Sequence, residues 1–400
     1  MGDLGQRLRS WVDSRTIQPP PRLVDWSLFV LICFEVASGL LSFTVGRPEG
    51  WDRYVFPAHR IAGLTFVILL GYKLHRVRHR LANRDRWRPS TLLSALTAVV
   101  ALGAVGTGVL WVTGAAGPDA RIAYWTLLSV HVGFGLALVP LVVAHLSTRF
   151  RRPRRVDFRD RRTAIRFAGL FVAGAVVYRG QELFNALLET GGDDRRFTGS
   201  RPAGSGGRDD DGTGDADTTG NAGFPVTSWV ADDPAPIARD SWSLTVRGLV
   251  DRPLEIGLAL DADGDGTSDR LELASVSDTE RRALLDCTSG WYTIQEWRGA
   301  RVGDILERAS VTEAATHVRF VSVTGYRWTL PIDEARDALL ATHVGGEPLS
   351  HGHGAPLRLV APGRRGFQWV KWIERIDVRD RRDPAQWVVT LISGLDLESD

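Results

Sequence analysis

Cysteine and lysine are scarce in this chain of 400 residues, and each shortage is informative. There are two cysteines, Cys33 and Cys287. Cys33 lies in a hydrophobic run that reads as membrane, so the pair does not form a structural disulfide. Cys287 is therefore either a buried, inert thiol, the ordinary state of an isolated cysteine, or the single protein ligand of a metal centre. Lysine is as scarce: Lys73 and Lys371 stand alone, and arginine supplies the other 47 of the 49 basic residues. A net charge of +2 hides a basic N-terminal half and an acidic C-terminal one. No cleavable N-terminal signal is evident.

Long apolar runs, by contrast, are plentiful. Five lie at about 24–46, 55–75, 92–113, 122–147 and 164–187. The first four are long enough to cross about 30 Å of hydrocarbon at 1.5 Å per residue; the fifth is shorter and less apolar. The expected architecture is an all-α transmembrane bundle of about five spans over residues 1–188, an acidic, disordered linker over 189–222, and a second domain over 223–400. The loops RVRHRLANRDRWR and RFRRPRRVDFRDRR follow the second and fourth runs. By the positive-inside rule they place the N-terminus in the cytoplasm, and five crossings place the C-terminal domain outside, in an extracellular or periplasmic space. Arginine clusters that abut membrane spans speak against nucleic acid as a partner.

Cys287 sits in LLDCTSGWYTIQEWRGARVGDIL, and residues 353–378 read HGAPLRLVAPGRRGFQWVKWIERIDV. In this order, with SWSLTVRGLVDRPLEI before them, the segments resemble the sulfite oxidase family of molybdenum enzymes. The resemblance runs from about Trp242 to Val378 and implies an α+β molybdopterin-binding domain. It implies that Cys287 binds molybdenum as thiolate beside the pterin dithiolene. It also implies that His353, Arg358 and Lys371, with the backbone of Trp369 and Val370, hold the pterin and its phosphate. An anionic phosphate suits a guanidinium fork, an ammonium and amide donors. Ser322 or Thr324, in FVSVTGY, is a candidate further hydroxyl. Two departures stand out. Sulfite-oxidising members carry an arginine shortly after the cysteine, where this chain has Thr288 to Tyr292, and their C-terminal dimerisation domain has no counterpart before Asp400. The pocket is closer to the bacterial members that reduce sulfoxides. Tyr292 and Tyr326 are candidate catalytic residues, with ordinary core tyrosines as the alternative.

Four histidines, His59, His75, His131 and His145, lie in or at the ends of the spans. Imidazole within a membrane is costly without a partner, which marks it as functional. His131 and His145 are 14 residues apart, so they share one helix face, about 21 Å apart along the axis. One histidine towards each leaflet suits two stacked haems. Topology pairs His59 with His131 at the outer side and His75 with His145 at the inner side, although His75 lies about 160° round the helix from His59. PAHRIAGLTFVILLGYKLH and SVHVGFGLALVPLVVAHL resemble the cytochrome b561 and formate-dehydrogenase-type cytochrome b family. There the inner haem often takes a histidine from the first span, where this chain has Asp25. One or two b haems are expected, with histidines bonded to neighbouring helices as the alternative.

Two smaller signals remain. Arg161 and Arg162 precede the fifth run as in a twin-arginine export signal, or as ordinary positive-inside charge. DADGDGTSDRLE fits an EF-hand loop, with Asp261, Asp263, Asp265, Thr267, Asp269 and Glu272 as calcium ligands; the alternative is solubility charge.

These readings combine into a membrane-anchored molybdopterin oxidoreductase. It performs oxygen-atom and two-electron chemistry on a small, sulfur-containing molecule outside the membrane, coupled through haem b to the quinone pool. The alternatives are a haem-bearing electron-transfer or binding protein without active molybdenum, and a calcium-binding module on a helical anchor.

Overall fold

A computed structural model describes residues 20–46, 49–83, 85, 87–117, 120–122, 125–149, 152–154, 157, 161–203, 220–228, 232–258 and 271–392. The chain divides into two compact units, Met1–Thr44 with Glu49–Asp193, and Val45–Pro48 with Asp194–Asp400.

The first unit consists of α1 (Pro21–Ser42), α2 (Asp52–Ala82), α3 (Pro89–Thr113), a short hairpin of β1 (Arg121–Ile122) and β2 (Trp125–Thr126), α4 (Leu127–Arg149) and α5 (Arg161–Leu187). Proline begins α1 and α3, where its missing N–H costs nothing. Gly114 ends α3 in the left-handed conformation, at φ 72°. Val24, Leu28, Leu31, Phe66, Leu69, Leu138 and Val142 form the bundle's interior. Leu92, Val99, Val143 and Val172 stay on its exterior, as they do when the surrounding solvent is hydrocarbon. Among the described residues four helices, α1 to α4, are long and apolar enough to span a membrane.

The expected fifth span is present as a helix but falls short in composition. Arg166 and Arg179 leave only residues 167–178 as its uninterrupted stretch, about 18 Å of rise. The polar C-terminal half of α5 nevertheless packs on α2. Gly174 lies where any side chain would strike Thr65 and the Ile61 carbonyl. Further along, Glu182 pairs with buried Arg60 at 2.5 Å, Gln181 accepts a second Arg60 N–H at 3.1 Å, and the guanidinium lies over Tyr178. Asn185 donates to the Val112 carbonyl near the end of α3, at 3.2 Å. The C-terminal end of α5 therefore lies with the start of α2 and the end of α3. Arg161 and Arg162 head α5.

The second unit is α+β, with two six-stranded sheets. One sheet runs β10 (Arg327–Pro331), β9 (His317–Ser322), β14 (Ile373–Arg379), β4 (Ser243–Gly248), β5 (Leu254–Gly257) and β6 (Leu271–Glu272). The other runs β12 (Glu347–Pro348), β11 (Leu339–Val344), β8 (Trp291–Arg301) and β3 (Arg201–Pro202), with β13 (Arg358–Val360) on β11 and β7 (Thr279–Asp286) on β8. Trp297, Trp328, Trp369 and Trp372 are its largest fully buried side chains. In β8 burial alternates residue by residue: Trp291, Thr293, Gln295 and Trp297 face inward, while Ile294, Glu296 and Arg298 face out.

Gly299, also in β8, meets its neighbour too closely for any side chain. A β-carbon there would lie 2.0 Å from the Leu340 carbonyl and 2.8 Å from the Ala341 α-carbon. Gly299→Ala should cost about 1–3 kcal/mol, read as a lower midpoint in denaturant melts.

Composition placed all of 189–222 in a linker. Residues 194–203 and 220–223 are instead built into the second unit, as β3 and a short helical turn, Gly220–Gly223. The calcium loop, Asp261, Asp263, Asp265, Thr267 and Asp269, lies outside the described residues. Glu272, its last position, ends β6 paired with Gly257.

Candidate functional site

Cys287 follows the last residue of β7, in the tight turn to β8. Its N–H donates to Trp291 O at 2.8 Å, and Gly290 N–H returns to Cys287 O at 3.1 Å. The side chain is 8 % exposed. Thr227 Oγ1 is 3.3 Å from the sulfur, and the Ser289 N–H points at it from 3.5 Å. Gly366 packs against the Cys287 α-carbon, 3.1 Å from where its own β-carbon would stand.

Three residues expected beside Cys287 are brought together there. Arg358, at the start of β13, is 4 % exposed and its guanidinium lies against both Trp297 and Trp369, 5.4 and 5.8 Å from their ring centres. One N–H donates to His353 O at 3.0 Å, while its Nε, also buried, has no partner. Lys371 Nζ donates to Gly352 O at 2.6 Å, Thr227 O at 2.9 Å and Ser228 Oγ at 3.0 Å. Gly354, at φ 107°, lets the two cations approach, because a β-carbon there would press on Lys371 and Arg358 at 3.0 and 3.2 Å. His353 donates from Nε2 to Phe224 O at 3.2 Å and accepts at Nδ1 from Ser350 Oγ at 2.8 Å. With both nitrogens engaged, its ring stacks on Phe224, centroids 4.2 Å apart.

Electrostatically the cluster is over-supplied with positive charge. Burial pushes Arg358 down to about 10, with Cys287 pulling upward. Burial, then Arg358, push Lys371 down to about 7 against Cys287, Asp232 and Asp233. Burial, then Arg358, hold His353 at about 4, so its ring is neutral. Burial raises the Asp232 carboxyl, which Thr324 hydrogen-bonds. Among the described residues neither Arg358 nor Lys371 is ion-paired. The consequence for stability has a definite sign. An unfolded lysine keeps its proton to about pH 10.4, so between about pH 7 and 10 the unfolded chain holds the extra proton and folding stability rises with pH. Below pH 7 the cost is present in full. Thermal melts of cofactor-free protein from pH 7 to 10 should show this rise, and Lys371→Met should flatten it.

The remaining expected residues are placed less centrally. Ser322 is buried and accepts from the Thr324 hydroxyl at 3.1 Å. Trp369 spends its backbone N–H on Gly366 O and its indole N–H on Arg364 O, each at 3.1 Å. The Val370 carbonyl accepts from Leu359 N–H at 2.8 Å. Tyr326 is buried and donates to the Phe367 carbonyl. Tyr292 departs from expectation. It pairs with Asp286, one residue before Cys287, so it projects from the opposite face of the strand pair and lies under Arg196, 5.5 Å from its ring. The residue on the Cys287 side is Trp291, buried with no partner for its indole N–H among the described residues.

In the first unit, His59 on α2 and His131 on α4 face each other with ring centroids 6.3 Å apart. His59 Nδ1 lies 2.8 Å from Ser38 Oγ and 3.1 Å from Glu35 Oε2. His131 Nδ1 donates to Ala104 O at 2.9 Å. These contacts leave Nε2 of each ring for another partner. The inner pair is not joined in the same way: exposed His75 faces Arg78, and His145 Nδ1 lies 3.3 Å from Ser94 Oγ. Asp25, where a histidine was considered, pairs with Lys73 and Arg76 at 3.2 and 3.1 Å. Among the described residues no group of three or more His, Cys, Asp or Glu forms a metal cluster.

Residues 231–387 match the family described as oxidoreductase molybdopterin binding domain. The uncharacterized oxidoreductase YuiH of Bacillus subtilis is 31% identical over 167 residues, 41% of this chain and 78% of that protein. The protein-methionine-sulfoxide reductase catalytic subunit MsrP of Xanthomonas campestris pv. campestris is 32% identical over 176 residues, 39% of this chain and 51% of that protein. Human mitochondrial sulfite oxidase is 31% identical over 160 residues, 37% of this chain and 28% of that protein. The chain thus spans about half the length of the reductase subunit and less of the sulfite oxidase.

Proposed function

Because the chain belongs to the oxidoreductase molybdopterin-binding domain family, we propose that it is a membrane-anchored enzyme acting on a small sulfur compound outside the membrane and exchanging electrons with the quinone pool through haem b. The observation that carries this reading is the company Cys287 keeps. A buried thiol faces two basic side chains, Arg358 and Lys371, that form no ion pair with a carboxylate among the described residues. Unpaired buried charge is costly, so such a site is built for an anionic ligand. The unpartnered Arg358 Nε and Trp291 indole N–H add donors that a pterin and its phosphate can use.

In this reading Cys287 holds molybdenum through its sulfur, and Thr227 and the Ser289 N–H stabilise the thiolate. Lys371 and Arg358 neutralise the phosphate, and neutral His353 fixes the Phe224 segment behind them. Bound molybdenum–pterin supplies oxygen-atom and two-electron transfer: a sulfoxide takes two electrons and two protons and leaves as sulfide and water, or the reverse direction oxidises a sulfur compound. Aromatic side chains without an arginine in the turn after Cys287 favour a neutral sulfoxide over the sulfite anion.

His59 and His131 fit a haem. The two imidazoles would hold the haem iron through the ring nitrogens their other contacts leave, and metal-bound histidines hand their second nitrogen to a carboxylate, hydroxyl or carbonyl. Ser38, Glu35 and Ala104 fill those roles here. Bound haem supplies one-electron transfer between the quinone pool and the catalytic unit. The C-terminal end of α5, which lies with the start of α2 and the end of α3, supports a fifth crossing, and with the arginine loops it supports an N-terminus in the cytoplasm and a catalytic unit outside.

Purified holoprotein with chemically reduced haem tests the reading. Methionine sulfoxide should reoxidise the haem, or a sulfur donor such as sulfite should reduce oxidised haem. If neither moves the haem spectrum while molybdenum is bound at stoichiometric level, the coupling is wrong.

A further inference from the structure

Asp286, adjacent to Cys287, is 3 % exposed and is among the most fully bonded side chains of the second unit. Arg365 reaches its Oδ1 at 2.6 Å and sends another N–H to Cys287 O at 3.2 Å. Ser200 donates to Oδ1 at 2.6 Å, Thr198 to Oδ2 at 2.8 Å, and Arg196 Nε to Oδ2 at 3.2 Å. Three of these four partners come from one short strap, residues 194–203, which precedes the matched family region beginning at residue 231. The strap also grips the far side of the same turn. Arg201 N–H donates to Gly290 O at 2.9 Å and Ala203 N–H to Tyr292 O at 2.8 Å, the parallel pairing of β3 with β8. Its own bend is closed by Arg196 N–H on Ser200 O and Gly199 N–H on Arg196 O, with Gly199 at φ 82°.

Both ends of the turn that presents Cys287 are therefore held from outside the family's own domain. We infer that Arg196, Thr198 and Ser200 are positioning residues that fix Cys287 through Asp286 and Arg365, and that the strap carrying them is part of the metal site. A buried carboxylate needs charge-assisted and hydroxyl donors to stay in place. Removing the hydroxyls leaves Asp286 short of partners and frees it to pull Arg365 from the Cys287 carbonyl. The inference rests on the reading of Cys287 as the molybdenum ligand.

The test uses full-length protein. Molybdenum per polypeptide is measured in holoprotein, and the rate of Cys287 alkylation by iodoacetamide is followed by peptide mass spectrometry in protein made without cofactor. In T198V/S200A molybdenum occupancy should fall at least fivefold and Cys287 alkylation should quicken at least tenfold. T198S, which keeps the hydroxyl, should match the parent in both. Single T198V, expected to be intermediate, serves if the double variant does not fold. Parent-like occupancy and alkylation in T198V would overturn the inference. Molybdenum retained in C287S would instead overturn the reading beneath it.

Discussion

Cys287→Ser should reduce molybdenum to trace levels and substrate-dependent haem turnover by at least about 100-fold, a loss at the upper end of those seen when even supporting residues of a metal site are changed. The two side chains are close in size, so packing against Thr227 and Gly366 is kept and the melting midpoint should move little. What changes is the donor. A cysteine thiol ionises near pH 8.5 in water, and the resulting soft thiolate suits a metal carrying dithiolene sulfurs. A serine hydroxyl stays protonated and is hard. Elemental analysis and haem spectra on the same preparation separate the two effects. Haem absorbance should stay at the parent level, since His59 and His131 belong to the other unit. Full molybdenum occupancy in the serine variant would remove Cys287 from the site.

Cys287, His353, Arg358 and Lys371 were legible in the sequence because they lie in two segments whose order resembles a known family, and the fold does bring them together. Tyr292 takes the other face of its strand for a reason the sequence also contains. The run W-Y-T-I-Q-E-W alternates, and a strand that buries Trp291, Thr293, Gln295 and Trp297 must turn Tyr292 to the other face. Thr227, Asp286 and the strap were not legible. A threonine beside a sulfur and three polar side chains on one carboxylate are long-range contacts, 60 to 90 residues apart in sequence, with no local period to announce them. Composition misled at 194–203, where glycine and charge read as linker because a strand of two residues, Arg201–Pro202, has too little pattern to register. In the helical half the apolar runs announced the helices. The fifth was blurred because Arg166 and Arg179 interrupt it, and Glu182 finds its partner, Arg60, more than a hundred residues away.

His131→Ala should abolish the haem absorbance of the purified protein while leaving its molybdenum in place. The argument is geometric. His131 is held by the Ala104 carbonyl at Nδ1, which fixes the ring opposite that of His59, centroid to centroid 6.3 Å. Alanine removes one of the two histidines that would hold the haem, and the residue against that imidazole is Gly108, 3.1 Å from where its own β-carbon would lie, which offers no side chain in its place. With one histidine left, haem occupancy should fall at least tenfold. Thr107→Val, by contrast, removes only a hydroxyl 3.3 Å from Nδ1 and should keep the haem. The same variant decides whether a second haem exists. If His75 and His145 also carry one, about half of the absorbance survives in His131→Ala and disappears on adding His145→Ala. Complete loss in the single variant assigns all the haem to the outer pair, as expected from the exposed position of His75 and its contact with Arg78. An unchanged spectrum in His131→Ala would show that these histidines serve the helices alone, and the electrons of the catalytic unit would then need another route.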